Sequence, residues 1–123
     1  MSDILISYKD FSYEENPQII TWLQMFLIKY YENSHESLMF LDELSSEWKV
    51  NSQIDIYKYI IPDDSSFAKE KQVELIHFLE QALTFLITLN YDQLSKYINS
   101  DVLSQRNFER IKENLIKHIN LVS

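Results

Sequence analysis

The chain has 123 residues, a formal net charge of −8 at neutral pH, and neither cysteine nor glycine. The missing cysteines exclude disulfides, thiol nucleophiles and cysteine-ligated metal centres. Phosphate-binding loops, the dinucleotide-binding fingerprint and the nucleophile elbow depend on glycine, so none of them can form here in its usual form. Hydrophobic residues make up 46% of the chain, which is typical of a globular protein and excludes disorder driven by low hydrophobicity.

The length suits one domain, residues 1–123, with a core of its own. Residues 1–10 do not have the pattern of an export signal. The longest apolar stretches, around residues 22–28 and 82–89, are much shorter than the roughly 20 residues that a membrane-spanning helix requires. We therefore expect a soluble cytoplasmic protein without a membrane segment.

The negative charge is concentrated in residues 1–66, which carry twelve acidic residues against four lysines, a net of −8. Residues 67–123 carry seven charges of each sign, which cancel. The N-terminal half also holds both tryptophans and six of the eight tyrosines. Such a surface repels nucleic acid and anionic membranes and attracts a basic protein. A solvated face that only keeps the protein in solution is the alternative interpretation.

The first predicted helix spans residues 17–32, because Asn16 is a favourable N-cap and Pro17 suits the first helical position. Its apolar residues recur at helical spacing on one broad face: Ile19, Ile20, Leu23, Phe26, Leu27 and Tyr30. The other face is predicted to be polar and carries Gln18, Thr21, Gln24 and Glu32.

A second helix is predicted over residues 35–48, with Ser34 as its cap. Residues 52–61 fit either a short helix or an edge strand, and we favour a helix because the neighbouring segments are helical. Pro62 ends this segment because it lacks an amide donor.

The strongest helix is predicted over residues 66–89, and its broad apolar surface indicates a central position in the fold. The pattern places these residues on its central stripe: Val73, Ile76, Leu79, Leu83, Leu86 and Ile87. A short helix follows from Asn90 to Ile98, a further helical turn is expected over Ser100–Gln105, and a last amphipathic helix covers Asn107–Leu121. Together these elements predict an all-α fold, an irregular single-domain bundle of five to seven helices.

Two Glu-x-x-His motifs, Glu32 with His35 and Glu74 with His77, are the best enzymatic candidate. Carboxylate-bridged di-iron bundles use two such motifs together with two further glutamates. Here the predicted helix break separates Glu32 from His35, and no glutamate on a separate helix precedes the first motif. We expect surface residues and one half-buried histidine rather than a metal site, and predict no catalytic residue and no cofactor. His118, beside Lys117 on the last helix, is also expected to be exposed.

The segment from Asp55 to residue 66 combines tyrosines with acidic residues, a composition that favours a protein interface. It resembles part of the immunity proteins of DNase colicins, in which a short helix with an Asp and two tyrosines precedes a proline and an Asp-Asp-Ser run. Lys58 separates the tyrosines here, whereas they are adjacent in that family. The resemblance implies that Asp55, Tyr57 and Tyr59 contact a toxin.

The same resemblance places Asp63 and Asp64 at the rim of the interface, and we add Glu43 and Glu47 as acidic partner-binding residues. Contact-dependent growth inhibition immunity proteins are also small, acidic and helical. We therefore predict an immunity or antitoxin-type protein that covers the active site of a basic cognate toxin, with a nuclease favoured. The first alternative is an acidic phage-type inhibitor or a DNA mimic that binds a nucleic-acid-binding protein, and the second is a metal-binding helical-bundle enzyme.

Overall fold

The structure, a computed structural model, describes residues 4–8, 11–34, 69–100, 102 and 104–122. Within these ranges the chain is mainly helical, as predicted, and the elements are β1 (Ile4–Tyr8), β2 (Phe11–Glu15), α1 (Pro17–Asn33), α2 (Lys69–Leu86), α3 (Tyr91–Ile98) and α4 (Gln105–Val122). The predicted helix over 35–48 and the ambiguous segment 52–61 lie outside the described residues. The total of five to seven helices and the single domain therefore stay predictions.

A β-hairpin precedes the helices, and the sequence analysis does not anticipate it. Strands β1 and β2 pair antiparallel, with Ile6 opposite Tyr13 and Tyr8 opposite Phe11. β-branched and aromatic residues, of which the two strands contain several, have a high propensity for extended backbone. Each strand has only five residues and β1 does not alternate apolar with polar residues, so neither strand stands out beside the helical signals.

Helix α1 begins where the sequence predicts. Asn16 is extended and its side chain accepts a hydrogen bond from the backbone N–H of Gln18 at 2.8 Å, while Pro17 occupies the first turn. The helix ends at Asn33, and Ser34 follows in an extended conformation. Gln24, which the pattern assigned to the polar face, is buried.

Helix α4 contacts α1, α2 and α3, and the core lies between these four helices. Its fully buried residues include Ile20, Leu23, Phe26, Leu27, Leu75, Leu79, Leu86, Leu94, Ile111 and Leu115. The predicted last helix is confirmed, with Phe108 buried and Ile119 partly buried on its apolar side. Among the described helices, α4 thus occupies the central position that the sequence analysis assigned to α2.

The predicted core stripe of α2 is rotated relative to the observed one. The side chains that face the core are Leu75, Phe78, Leu79, Ala82 and Leu86. Val73 and Ile87 are 59% and 57% exposed, so their assignment to the central stripe was wrong. Because apolar residues surround much of this helix, the sequence leaves its rotation poorly defined.

Helix α3 is capped by hydrogen bonds at both of its ends. Asn90 and Gln93 exchange side-chain and backbone hydrogen bonds in a capping box. After the helix, Asn99 adopts a left-handed conformation with φ 51°. The further helical turn expected over Ser100–Gln105 is wrong, because Ser100, Val102 and Ser104 are not helical. Instead, the hydroxyl of Ser95 accepts a hydrogen bond from the N–H of Val102 and donates one to its carbonyl oxygen. These two bonds hold the connection between α3 and α4 against α3.

None of the helices in the described part of the chain combines the length and the apolar character that crossing a membrane requires.

Candidate functional site

The residues predicted to bind the partner, Glu43, Glu47, Asp55, Tyr57, Tyr59, Asp63 and Asp64, lie outside the described residues. Their assignment stays a prediction. Aromatic side chains elsewhere in the chain form a surface feature that the sequence analysis did not single out.

This feature lies where α1, α2 and α3 meet. Tyr30 of α1 stacks on Phe85 of α2 with ring centroids 5.6 Å apart, and Phe85 meets Tyr97 of α3 edge to face at 5.3 Å. Phe26 is fully buried and lies 6.1, 6.2 and 5.8 Å from the rings of Tyr30, Phe85 and Tyr97, respectively. The buried ring therefore supports the three that approach the surface.

The three partly buried rings line an open groove of about 290 Å³, which we name the aromatic groove; its lining residues are Tyr30, Asn33, Ser34, Phe85 and Tyr97. The carboxamide Nδ2 of Asn33 donates a hydrogen bond to the hydroxyl of Tyr97 at 3.3 Å. Burial raises the pKa of the Tyr97 hydroxyl; the hydrogen bond from Asn33 lowers it, and the neighbouring Tyr30 raises it further. Tyr97 therefore remains a neutral phenol at physiological pH.

The aromatic groove lies at the carboxyl ends of three helices. Tyr30 and Asn33 belong to the last turn of α1, Phe85 is the penultimate residue of α2, and Tyr97 is the penultimate residue of α3. The carboxyl end of a helix carries a partial negative charge, because its last carbonyl groups point outward along the helix axis. Three such ends at one groove favour a cation over an anion.

Basic side chains of the helices do little to neutralise this potential. The last turns of α1 and α2 contain no basic residue, although the exposed Lys29 directly precedes the last turn of α1. Helix α3 has Lys96 in its last turn, but the ammonium group pairs with Asp92 at 3.2 Å. The aromatic groove thus combines π faces with negative potential, and both attract positively charged groups.

A second polar cluster joins the hairpin to α4. Arg110 forms an ion pair with Oε1 of the buried Glu15, and the same oxygen accepts the backbone N–H of Asn16 at 2.7 Å. Asn114 donates its Nδ2 to the other carboxylate oxygen, also at 2.7 Å. Burial alone would raise the pKa of Glu15, but the hydrogen bonds from Asn114, Asn16 and Arg110 and the charge of Arg110 hold it below its usual value.

The polar cluster around Glu15 stabilises the fold and is not a binding surface for a partner. Glu15 is one of the twelve acidic residues of the N-terminal half, and it is buried inside the protein. It therefore adds nothing to the acidic surface that the sequence analysis assigns to that half.

His118 is fully buried, so the expectation that it is exposed was wrong. It lies on the core side of α4, one turn after Asn114, and its Nδ1 is 2.7 Å from the carbonyl oxygen of Asn114. A carbonyl only accepts hydrogen bonds, so Nδ1 carries the proton. Burial lowers the pKa of His118 to about 4, with the hydrogen bond to Asn114 acting in the opposite direction and the charge of Lys117 adding to the lowering.

The two Glu-x-x-His motifs do not gain support. Helix α1 ends at Asn33 and Ser34 is extended, so the helical turn that would align Glu32 with His35 is interrupted; His35 itself lies outside the described residues. Glu74 and His77 are both exposed on α2. Among the residues that the structure describes, no group of three or more histidine, aspartate or glutamate side chains could hold a metal ion.

Sequence reasoning missed the aromatic groove because its members come from three separate helices. Tyr30 and Asn33 are one turn apart, a spacing visible in the sequence, but Phe85 and Tyr97 reach them only through tertiary packing. One signal was available: aromatic residues occur near the predicted ends of three helices. Comparisons of the chain with models of protein families, with curated proteins and with solved structures gave no significant match.

Proposed function

We propose that this protein is a binding protein of the immunity or antitoxin type that neutralises a basic toxin by covering its active site, with a nuclease as the favoured target. The observation that carries the proposal is the aromatic groove at the carboxyl ends of three helices, in a chain with a net charge of −8. Both features favour a positively charged protein as the partner.

A nuclease is a suitable target for physical reasons. Its active site must be basic to hold phosphates, so an acidic protein is steered toward the same surface and excludes the nucleic acid substrate. Tyrosines beside carboxylates supply apolar contact area, hydrogen bonds and ion pairs in one interface. The predicted segment with Asp55, Tyr57 and Tyr59 has this composition. The proposal places the protein in the cytoplasm, where such a toxin reaches nucleic acid.

Co-expression tests the proposal. The chain is produced in cells together with the product of the reading frame beside its own gene, if that frame encodes a basic toxin domain, and survival is counted. Cells that carry both proteins are expected to survive, whereas cells that carry only the toxin die. The double variant Asp55→Ala with Tyr57→Ala is expected to lose protection.

The matched control is Tyr91→Ala, which removes an exposed tyrosine outside the aromatic groove and outside the predicted interface. This variant is expected to protect as well as the wild type. Cells that die in spite of normal amounts of the folded wild-type protein would contradict the proposal. Binding to a DNA-binding enzyme instead, lost at high salt, would favour the alternative of a DNA mimic.

A further inference from the structure

We infer that the aromatic groove receives an arginine side chain from the basic partner. The inference rests on the proposed function for the source of the arginine, but the groove itself is defined by the described residues alone. Its support comes from three independent properties of the groove: its rings, its potential and its hydrogen-bond acceptors.

The rings suit a flat cation. Tyr30, Phe85 and Tyr97 are all partly buried and line one opening. Their planes are inclined to one another, by 28° between Tyr30 and Phe85 and by 61° between Phe85 and Tyr97. Planar guanidinium is weakly hydrated and stacks on aromatic rings more readily than the compact, strongly hydrated ammonium group of lysine.

The electrostatic potential at the aromatic groove favours a positively charged ligand. The groove residues lie at the carboxyl ends of α1, α2 and α3, where the helix dipoles are negative. Within the described residues, Lys96 is the basic residue in the last turn of these three helices, and it pairs with Asp92. A phosphate or carboxylate ligand would meet unfavourable charge, whereas an arginine brings the positive charge that the helix ends favour.

The polar atoms of the groove also match arginine. All five N–H groups of a guanidinium are donors, so its neighbours must be acceptors. Asn33 has a carbonyl oxygen, and the hydroxyl oxygens of Tyr30 and Tyr97 also accept hydrogen bonds. The hydrogen bond from Nδ2 of Asn33 to the hydroxyl of Tyr97, at 3.3 Å, joins two of these groups.

A titration with a small arginine compound tests the inference without the toxin. Acetyl-arginine amide is added to the ¹⁵N-labelled full chain, and backbone amide shifts are followed by NMR. We expect saturable shifts centred on Tyr30, Asn33, Phe85 and Tyr97, with a dissociation constant in roughly the millimolar range for one exposed side chain. Acetyl-citrulline amide has nearly the same shape without the charge and is expected not to saturate, and acetyl-lysine amide is expected to bind about two- to fivefold more weakly.

Variants locate the binding. Tyr97→Leu and Phe85→Leu keep apolar volume but remove a ring, and each is expected to weaken binding of acetyl-arginine amide by about two- to fivefold. Tyr91→Leu is the matched control on α3, because Tyr91 is exposed and does not line the groove. It is expected to bind as the wild type does. The same NMR spectra show whether each variant is folded. If only one of the two ring variants folds, that variant is sufficient for the test.

Any one of the following results would overturn the inference: shifts that spread over the surface without saturation, equal binding of the citrulline compound, equal or tighter binding of the lysine compound, or unchanged binding by the ring variants. Shifts at the groove that depend on protein concentration alone would assign it to a second copy of the chain and equally overturn it. The outcome is separate from that of the proposed function. If the protein protects cells from the toxin but does not bind acetyl-arginine amide, only this inference is contradicted. If it binds acetyl-arginine amide but does not protect cells, only the immunity function is contradicted.

Discussion

Asn114 donates its side-chain Nδ2 to Oε2 of Glu15 at 2.7 Å, and this bond joins the end of the N-terminal hairpin to the middle of the last helix. Asn114 also donates to the carbonyl of Arg110, whose guanidinium pairs with the other carboxylate oxygen of Glu15. Two residues one turn apart on α4 thus hold one buried carboxylate. The last residue of β2 is thereby tied to the last helix, directly before α1 begins.

Replacing Glu15 should destabilise the protein. Glu15→Gln removes the negative charge that pairs with Arg110. The carbonyl oxygen of the glutamine can still accept the hydrogen bond from Asn114. Hydrogen bonds to charged groups are worth about 1.5–3 kcal/mol, and Arg110 is partly exposed, which reduces the cost of leaving it unpaired. We expect a loss of about 1–2 kcal/mol in the free energy of unfolding, measured by urea denaturation.

The adjacent Glu14 is exposed and provides the control. Glu14→Gln is expected to stay within about 0.5 kcal/mol of the wild type. If both variants lose the same stability, or neither does, the cluster around Glu15 does not anchor the hairpin.

Acid should weaken the fold through His118. Its pKa is lowered to about 4 in the folded protein from 6.5, so the folded state favours the neutral ring. The stabilisation is complete above pH 6.5 and is lost as the pH falls toward 4, because the unfolded chain binds a proton that the folded protein does not. The expected loss over this interval is on the order of 3 kcal/mol.

Glu15, whose pKa is also lowered in the folded state, adds a further loss below about pH 4.5. Urea denaturation at several pH values measures both effects, and His118→Gln separates them because glutamine does not titrate. The variant is expected to have a flatter pH dependence between 6.5 and 4 than the wild type. Identical slopes for the two proteins would show that His118 does not stay neutral inside the fold.

The rotation of α2 can be tested with a pair of alanine variants. Leu79 is fully buried and Val73 is 59% exposed. Leu79→Ala is expected to cost about 2–5 kcal/mol through lost burial and a residual cavity, and Val73→Ala less than about 0.5 kcal/mol. Thermal or urea unfolding measures both. Comparable costs would favour the core stripe predicted from the sequence over the observed one.

The left-handed residue after α3 predicts a further difference. The chain contains no glycine, and Asn99 takes the positive φ of 51° at the helix end, where Ser100 bonds back to the carbonyl of Ser95 at 3.0 Å. Asparagine tolerates the left-handed conformation, whereas a residue whose Cβ carries no polar group is destabilised in it by about 1–2 kcal/mol. Asn99→Ala should lose about 1 kcal/mol in unfolding free energy and Asn99→Gly should stay within about 0.5 kcal/mol of the wild type. An alanine variant as stable as the glycine variant would contradict this account.

Local signals in the sequence were sufficient for most of the described helices. Asn16 with Pro17 marks the start of α1, and Asn90 starts α3, because capping is a matter of neighbouring residues. The rotation of α2 and the burial of His118 depend instead on which helices pack around them. The spacing of α4 does carry a signal for His118, which follows Ile111 by seven residues and Leu115 by three and therefore shares their apolar face, but how deeply the core covers it depends on the packing of the other helices.

The candidate site was harder to predict than the fold. The tyrosines favoured from the sequence, Tyr57 and Tyr59, lie in a segment outside the described residues. Tyr30 was assigned to the apolar face of a helix, which is correct but incomplete: the ring is only partly buried, and Tyr97, 67 residues later, completes the groove beside it. Partial burial is set by the neighbouring helices, so periodicity alone does not distinguish a core aromatic residue from one that lines a groove.

The affinity of this protein for a basic toxin domain encoded by the neighbouring reading frame, where that frame encodes one, tests the central claim most directly when it is measured by calorimetry at low and high salt. The account predicts tight binding that weakens by about tenfold or more as the salt concentration rises, and by about tenfold in the Asp55→Ala, Tyr57→Ala double variant. Binding that is absent, or that neither salt nor the double variant changes, would contradict the claim that an acidic, aromatic surface of this chain binds a positively charged protein.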